Sequence, residues 1–191
     1  MRQTDSFVAR LSDPNIVGPA ELALLRQLAG QRLDERVEGF DLFAGVWWPL
    51  RQKSRASPRR EVAWLIAKLY AAASLPHVRR ANGPGPRLAE VVGRCEPLER
   101  RARERYRRRF DSLLQTPLSA IETHVAWALG VAHDAVGRAR IQGLDWVALT
   151  DDLSIWDRAN EHRRRVDIRD QWAKDYFGAM PNPKKGANDA D

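Results

Sequence analysis

The pattern of apolar and polar positions along this chain is helical almost throughout. Alternation of the kind that marks a half-buried strand never extends beyond four or five residues, whereas apolar residues recur at intervals of three and four. Leu22, Leu25 and Leu28 share one face of a helix that begins at Gly18-Pro19, where proline suits the first turn, and ends at Gly30, a residue suited to a C-terminal cap. Phe40, Phe43 and Trp47 lie at helical spacing in an aromatic segment and are expected to plug the core rather than stack on a cofactor. Ser57-Pro58 predicts the next helix start, with a hydroxyl at the N-cap and proline at the first position. The helix that follows, to Ala73, is apolar around most of its circumference, which predicts a central buried helix. Residues 77–87 read as a loop, and Leu88 to Val92 as a short helix.

In the second half, Leu98, Ala102, Tyr106 and Phe110 recur every four residues and continue into Leu113 and Leu114, predicting a helix from Pro97 to Gln115. After Thr116-Pro117 a further helix carries Ile121, Val125, Leu129, Ala132 and Val136 as its buried stripe. Asp145 is placed to cap a helix from Trp146 to Trp156. A last helix, about 159–177, turns Val166, Ala173 and Tyr176 inward with Trp172 beside them, and pairs Arg163 with Asp167 and Asp170 with Lys174 at i,i+4. The expectation is an all-α fold, a helical bundle of about seven to nine helices in two small lobes. Residues 1–115 form the N-terminal lobe, 116–178 the C-terminal lobe and 179–191 a disordered tail.

Composition narrows the function classes. With 191 residues and 43% hydrophobic content the chain is long and apolar enough for one real core. The apolar run Val62 to Leu75 is interrupted by Lys68 and is shorter than the ~20 residues that span a bilayer. The first residues lack the apolar run of a signal peptide, so the expectation is a soluble, cytoplasmic protein with no membrane partner. A single cysteine, Cys95, excludes an internal disulfide and a cysteine zinc site. His77, His124, His133 and His162 form no metal-binding spacing, and there is no Walker A loop, dinucleotide fingerprint or nucleophile elbow. Asn82-Gly83-Pro84-Gly85-Pro86 is glycine-rich, but its prolines remove the N–H groups a phosphate cradle needs, so it reads as a turn. Adjacent helical residues point about 100° apart, so Asp151 and Asp152, with Asp157 nearby, read as a solvated helix face rather than an acid–base pair. No catalytic residue, metal or cofactor is expected.

Charge changes the picture more than any motif. The net charge of +7 conceals a segregation: residues 1–50 hold 5 basic and 7 acidic residues, residues 51–109 hold 17 and 5, and residues 110–191 hold 10 and 13. Of the 32 basic residues 27 are arginine, whose planar fork matches phosphate oxygens. Seven arginines fall within residues 100–109, where Glu104 is the only acid, and Arg101, Arg105 and Arg108 group on one flank. A solvated helix ordinarily intersperses signs to gain i,i+4 pairs. This one does not, and a polyphosphate partner would relieve the repulsion. Arg51, Lys53 and Arg55 add cations in a segment without acids, and Arg79 and Arg80 do so in the 77–87 loop. Arg59 and Arg60 crowd a helix N-terminus whose N–H groups also attract phosphate, with ordinary exposed arginines as the alternative.

Several stretches in order resemble one family. They are Ala63-Trp64-Leu65-Ile66-Ala67-Lys68-Leu69-Tyr70, Arg109-Phe110-Asp111-Ser112-Leu113-Leu114, Glu122-Thr123-His124-Val125, Leu144-Asp145-Trp146-Val147-Ala148-Leu149, Asp152-Leu153-Ser154-Ile155-Trp156 and Gln171-Trp172-Ala173-Lys174-Asp175-Tyr176. Their order and spacing, from about residue 20 to 178, resemble the CasB family, the small subunit of the type I-E CRISPR surveillance complex called Cascade. The resemblance implies two helical lobes and a role without catalysis: stabilising the R-loop by guiding the displaced DNA strand along basic surfaces. It implies as partners a second copy of the chain, the backbone and large subunits, the CRISPR RNA and the target DNA. It matches Arg59 and Arg60 to the family's basic helix start, Arg108 or Arg109 to its basic residues before Phe110, and Arg26 to a basic position in its first helix. The chain departs from the pattern at Arg26-Gln27, where paired basic residues are frequent, and at Val125-Ala126-Trp127, where basic residues are common. The competing reading is a free-standing helical regulator of duplex DNA. That reading needs amide or arginine side chains aimed at base edges, and the 97–115 helix holds few amides.

Overall fold

The computed structural model describes residues 3–33, 35, 37–53, 58–79, 83–138, 140–157 and 167–181, with the side chains of Gln3, Val37, Glu38, Phe40 and Lys53 excepted. Expectations for Arg55, Ser57, Arg80, Asn82, Arg163, Val166 and the tail beyond 181 lie outside these residues, as do those for the Phe40 and Lys53 side chains. Among the described residues there are nine α-helices: α1 (Gln3–Leu11), α2 (Pro19–Gln27), α3 (Val37–Lys53), α4 (Arg60–Ala73), α5 (Leu88–Arg94), α6 (Arg100–Gln115), α7 (Glu122–Gly137), α8 (Trp146–Ser154) and α9 (Ile168–Ala179). The fold is all-α, as its periodicity predicts. None of these helices is long and apolar enough to cross a membrane.

The arrangement follows from α4. Its residues from Val62 to Leu69 and Ala71 are all buried, so through its middle two turns no face is left for solvent, and α2, α3, α7 and α8 pack around it. Lys68, the one cation in this apolar run, is 3% exposed. It donates to the Gln31 carbonyl (2.9 Å) and the Glu122 carboxylate (2.6 Å), which gives the buried ammonium the partners it requires. A second layer forms where α5 is held between α7 and α9. Phe110 of α6 stacks on Tyr176 of α9 with centroids 4.2 Å apart. A parallel bridge between His77 and Leu144 ties the 77–87 loop to the start of α8.

Several helix carbonyls without a helical donor are capped by distant arginines. Pro49 inside α3 has no N–H, which leaves the carbonyl of Gly45 without its helical donor. Arg10 of α1 supplies a replacement through Nη2 (2.8 Å). Arg26 donates Nε to the Ala71 carbonyl in the last turn of α4 (2.7 Å), and Arg59 donates to the Ser154 carbonyl at the end of α8 (3.2 Å).

Four local expectations are corrected. The N-cap of α4 is Arg59 in an extended conformation, so Pro58 lies before the helix and not at its first position; Pro58 is buried and its carbonyl accepts the Trp47 indole N–H (2.8 Å). Leu98 does not join the α6 stripe but is 70% exposed, because the helix begins only at Arg100 behind the cap residue Glu99. The helix after Thr116 is delayed by a 3-10 turn at Leu118–Ala120. Asp152 is not solvated: it is 8% exposed, and its carboxylate takes both oxygens to Arg87 Nη2 (2.8 Å each) and a bond from the Trp172 indole (2.8 Å). Burial pushes its carboxyl up against the pull of those two donors.

The α5–α9 contact is close because Gly93 has no side chain. A Cβ there would lie 2.2 Å from the Tyr176 carbonyl oxygen, so the two backbones would have to separate. Gly93→Ala is therefore expected to cost on the order of 1–3 kcal/mol. Gly130→Ala, in α7 where a Cβ meets nothing within 4 Å, should instead gain about 0.5–1 kcal/mol. Urea unfolding of the two variants checks the contrast, and equal effects of one sign would refute it.

Candidate nucleic-acid interface

The α6 helix begins at a difficulty. Three arginines, Arg100, Arg101 and Arg103, occupy its first turn, where the helix dipole disfavours cations. Glu99 offsets this as N-cap, accepting the backbone N–H groups of Arg101 (2.8 Å) and Ala102 (2.6 Å). These two bonds hold its carboxyl below the usual range. Arg100 pairs with Glu104 one turn on.

The rotation of α6 is set by Glu96, just before it. Glu96 is 7% exposed, and it accepts from Arg107 (3.1 Å to Nη2) and from the Tyr176 hydroxyl of α9 (2.9 Å), with Arg103 Nε at 3.8 Å. Burial opposes its ionisation, but the bonds from Arg107 and Tyr176 outweigh that and leave the carboxyl below the ordinary range. Arg103 also caps the carbonyls of Pro97 and Leu98. Arg103 and Arg107 are thus turned toward protein. Arg101, Arg105, Arg108 and Arg109 lie on the other side and are exposed, and none of them forms an ion pair among the described residues.

That outward face borders a groove between α6 and α7. At one end it is lined by Arg108, Arg109, Ser112, Thr123, His124 and Trp127. An adjoining cleft that shares Arg108, Arg109 and Trp127 is also lined by Arg105 and Tyr106, and a third, sharing Tyr106 with it, is lined by Cys95, Asp134, Arg138 and Arg140. From Thr123 to Arg138 the helical rise spreads these clefts along about 22 Å. The floor is aromatic: Tyr106 meets Trp127 edge-on at 5.2 Å, and the Arg109 guanidinium lies 5.7 Å from the Trp127 ring centre. The Tyr106 hydroxyl donates to the Val92 carbonyl (2.8 Å), and burial pushes its pKa up, so it stays a neutral donor.

The other sequence-predicted residues are placed less uniformly. Arg26 and Arg59 are engaged with the helix-end carbonyls of α4 and α8. Arg79 pairs with Asp5 of α1 while remaining 49% exposed. Arg51 and Arg60 are exposed at the end of α3 and the start of α4. Sequence reasoning overlooked Trp127, His124, Arg138 and Arg140 as groove residues. The signal was present: once Val125, Leu129 and Ala132 are taken as the buried stripe, positions 124, 127, 131, 134 and 138 share one flank of α7 at spacings of three and four. What the sequence lacks is the partner for that flank.

Comparison with known proteins gives a consistent result. The family model for CRISPR-associated protein Cse2 matches residues 21–177. Among solved structures, a Cse2-family CRISPR-associated protein from Thermus thermophilus is similar with a TM-score of 0.65 at 20% identity, covering 94% of this chain and 100% of its own. CasB from Thermobifida fusca has a TM-score of 0.60 at 20% identity, covering 91% and 95%. CasB from M. ruber also has 0.60 at 20% identity, covering 92% and 93%. At such identity the structural likeness speaks for the fold alone. No curated protein sequence matches the chain.

Because ionised Glu96 is the form bound by Arg107 and Tyr176, its contribution to stability is complete above the unfolded carboxyl pKa of about 4.3 and is lost as pH falls through its lower folded value. The stability gap between the native chain and Glu96→Gln should therefore be widest above about pH 5 and narrow toward pH 3. Denaturant titrations at several pH values check this, and a gap independent of pH would contradict it.

Proposed function

The chain belongs to the CRISPR-associated protein Cse2 family, and from that premise we propose that it is the non-catalytic small subunit of a type I-E CRISPR RNA-guided surveillance complex. In this reading it binds nucleic-acid backbone without sequence selection and stabilises the displaced strand of the R-loop. Its partners are the backbone and large subunits of Cascade, a second copy of itself, the CRISPR RNA and the target DNA. It works in the cytoplasm without a cofactor. The observation that carries the proposal is the row Arg101, Arg105, Arg108 and Arg109, four exposed guanidiniums with no ion-pair partner among the described residues, of which Arg105, Arg108 and Arg109 line the groove.

Physical reasoning supports the role. The displaced strand can have any sequence, so its holder must contact phosphates rather than base edges. Exchange of a DNA duplex for an RNA–DNA heteroduplex is nearly balanced, so a few backbone contacts suffice to shift it. Four arginines that each neutralise one phosphate would give log K a salt slope of about −3 on single strands. The exposed arginines also repel one another, and a bound strand removes that repulsion.

Gel shifts on single-stranded and duplex DNA of random sequence, across salt, test the reading; sequence-selective duplex binding would favour a free-standing regulator instead. Joint reversal of Arg101→Glu, Arg105→Glu and Arg108→Glu should leave the unfolding midpoint unchanged or slightly raised, since surface substitutions move stability by about 0.5 kcal/mol or less. The R-loop lifetime of the assembled complex should fall at least about tenfold, given the steep charge dependence of backbone binding. Unchanged target binding by the assembled complex would rule out α6 as the contact.

A further inference from the structure

We propose that Trp127 is a base-stacking platform, which gives the α6/α7 groove a preference for unpaired bases over a bare sugar–phosphate chain. The proposal rests on the backbone-binding role above and specifies what that same groove reads.

Trp127 differs from the other core-associated tryptophans in how its polar atom is treated. Trp47, Trp64, Trp146, Trp156 and Trp172 each donate the indole N–H to a carbonyl or carboxylate of the protein. These are structural tryptophans, packed on one side and satisfied on the other. No acceptor among the described residues takes the Trp127 indole N–H, and the ring is only half-buried. It lines both of the adjoining clefts that Arg108 and Arg109 also line.

Its surroundings supply what stacking needs. Tyr106 braces the indole edge-on at 5.2 Å and is itself held by its bond to the Val92 carbonyl, so the ring has a fixed orientation before any ligand arrives. Arg105 and Arg108 flank it on α6 and can reach the phosphates on either side of a stacked base. Arg109 lies over the ring in a cation–π contact, which is weak at an exposed site and exchangeable for a phosphate. A half-buried aromatic braced from below among cations is the combination by which single strands are held regardless of sequence, since every base has a π-face. A duplex keeps those faces covered. The groove therefore favours the single strand through stacking as well as through charge.

Fluorescence anisotropy with the full chain tests the proposal, using oligo(dT) and an abasic oligonucleotide of equal length. The native chain should bind oligo(dT) roughly 5- to 100-fold more tightly, the range of base–aromatic stacking. Trp127→Ala should bring that ratio close to one without changing affinity for the abasic chain, and Trp127→Phe, which keeps a ring and the packing on Tyr106, should retain most of it. If Trp127→Ala leaves the ratio intact, or if the native chain binds both oligonucleotides equally with normal salt dependence, the stacking proposal is overturned and backbone binding stands. If the native chain binds neither oligonucleotide, backbone binding fails and stacking fails with it.

Discussion

One buried carboxylate, Glu96, determines which side of the arginine-rich helix faces outward. An amphipathic helix with a stripe of Ala102, Tyr106, Phe110 and Leu113 could rotate by some tens of degrees without losing much apolar contact, because that interaction has no direction. Glu96 removes the freedom. It must keep its hydrogen bonds, since an unpaired buried carboxylate is costly. Its donors are fixed at Arg107 on α6 and Tyr176 on α9. With Arg107 turned to Glu96 and Phe110 stacked on Tyr176, the guanidiniums at 101, 105, 108 and 109 have only the outer side and the α7 groove to occupy. Loss of that anchor would shift the arginine row by rotation of α6, even though Glu96 itself is not at the surface.

The same logic extends to the charge distribution. The basic segment 51–109 does not carry its whole excess to the surface, because acids from the flanking segments enter the fold and take up part of it. Glu122 reaches Lys68, Asp152 and Asp175 converge on Arg87, and Asp5 meets Arg79. These pairs join residues far apart in sequence, so the segregation seen along the chain is partly undone in space. On α6, by contrast, a row of four exposed arginines keeps no ion-pair partner among the described residues. A like-charged row of this kind destabilises its own helix, and the Glu99 cap with the Arg100–Glu104 pair offsets only the first turn.

The parts of the fold that depend on local periodicity were legible in advance. Ile121, Val125, Leu129 and Ala132 are buried as a helical stripe, Asp145 caps α8, and the middle of α4 is enclosed on all sides. The corrections at Asp152 and Leu98 share one physical cause: a polar contact that the local pattern does not show. Asp152 looked solvated because Arg87 and Trp172 are 65 and 20 residues away. The carbonyls that Arg26 and Arg59 cap, on helices 45 and 95 residues off, are equally invisible in the local pattern. Leu98 looked buried because a four-residue spacing was extended past a cap that only Glu99's own bonds reveal.

The groove illustrates why a surface cleft is harder to read than a core. A core residue announces itself by apolarity alone, since burial rewards it wherever the partner comes from. A groove residue such as Trp127 carries the same apolar signature and differs only in having one side left uncovered, which depends on how α6 and α7 approach each other. Arginine counts located the helix, but not the wall opposite it. The wall follows from a second constraint: the 116–121 connection is short, so α7 must return along α6, and the flank of α7 left over by its buried stripe has to face the arginines. Stripe, connection and leftover flank together make the aromatic floor of the groove a consequence of packing, and the cations beside it define the kind of ligand that would fit there.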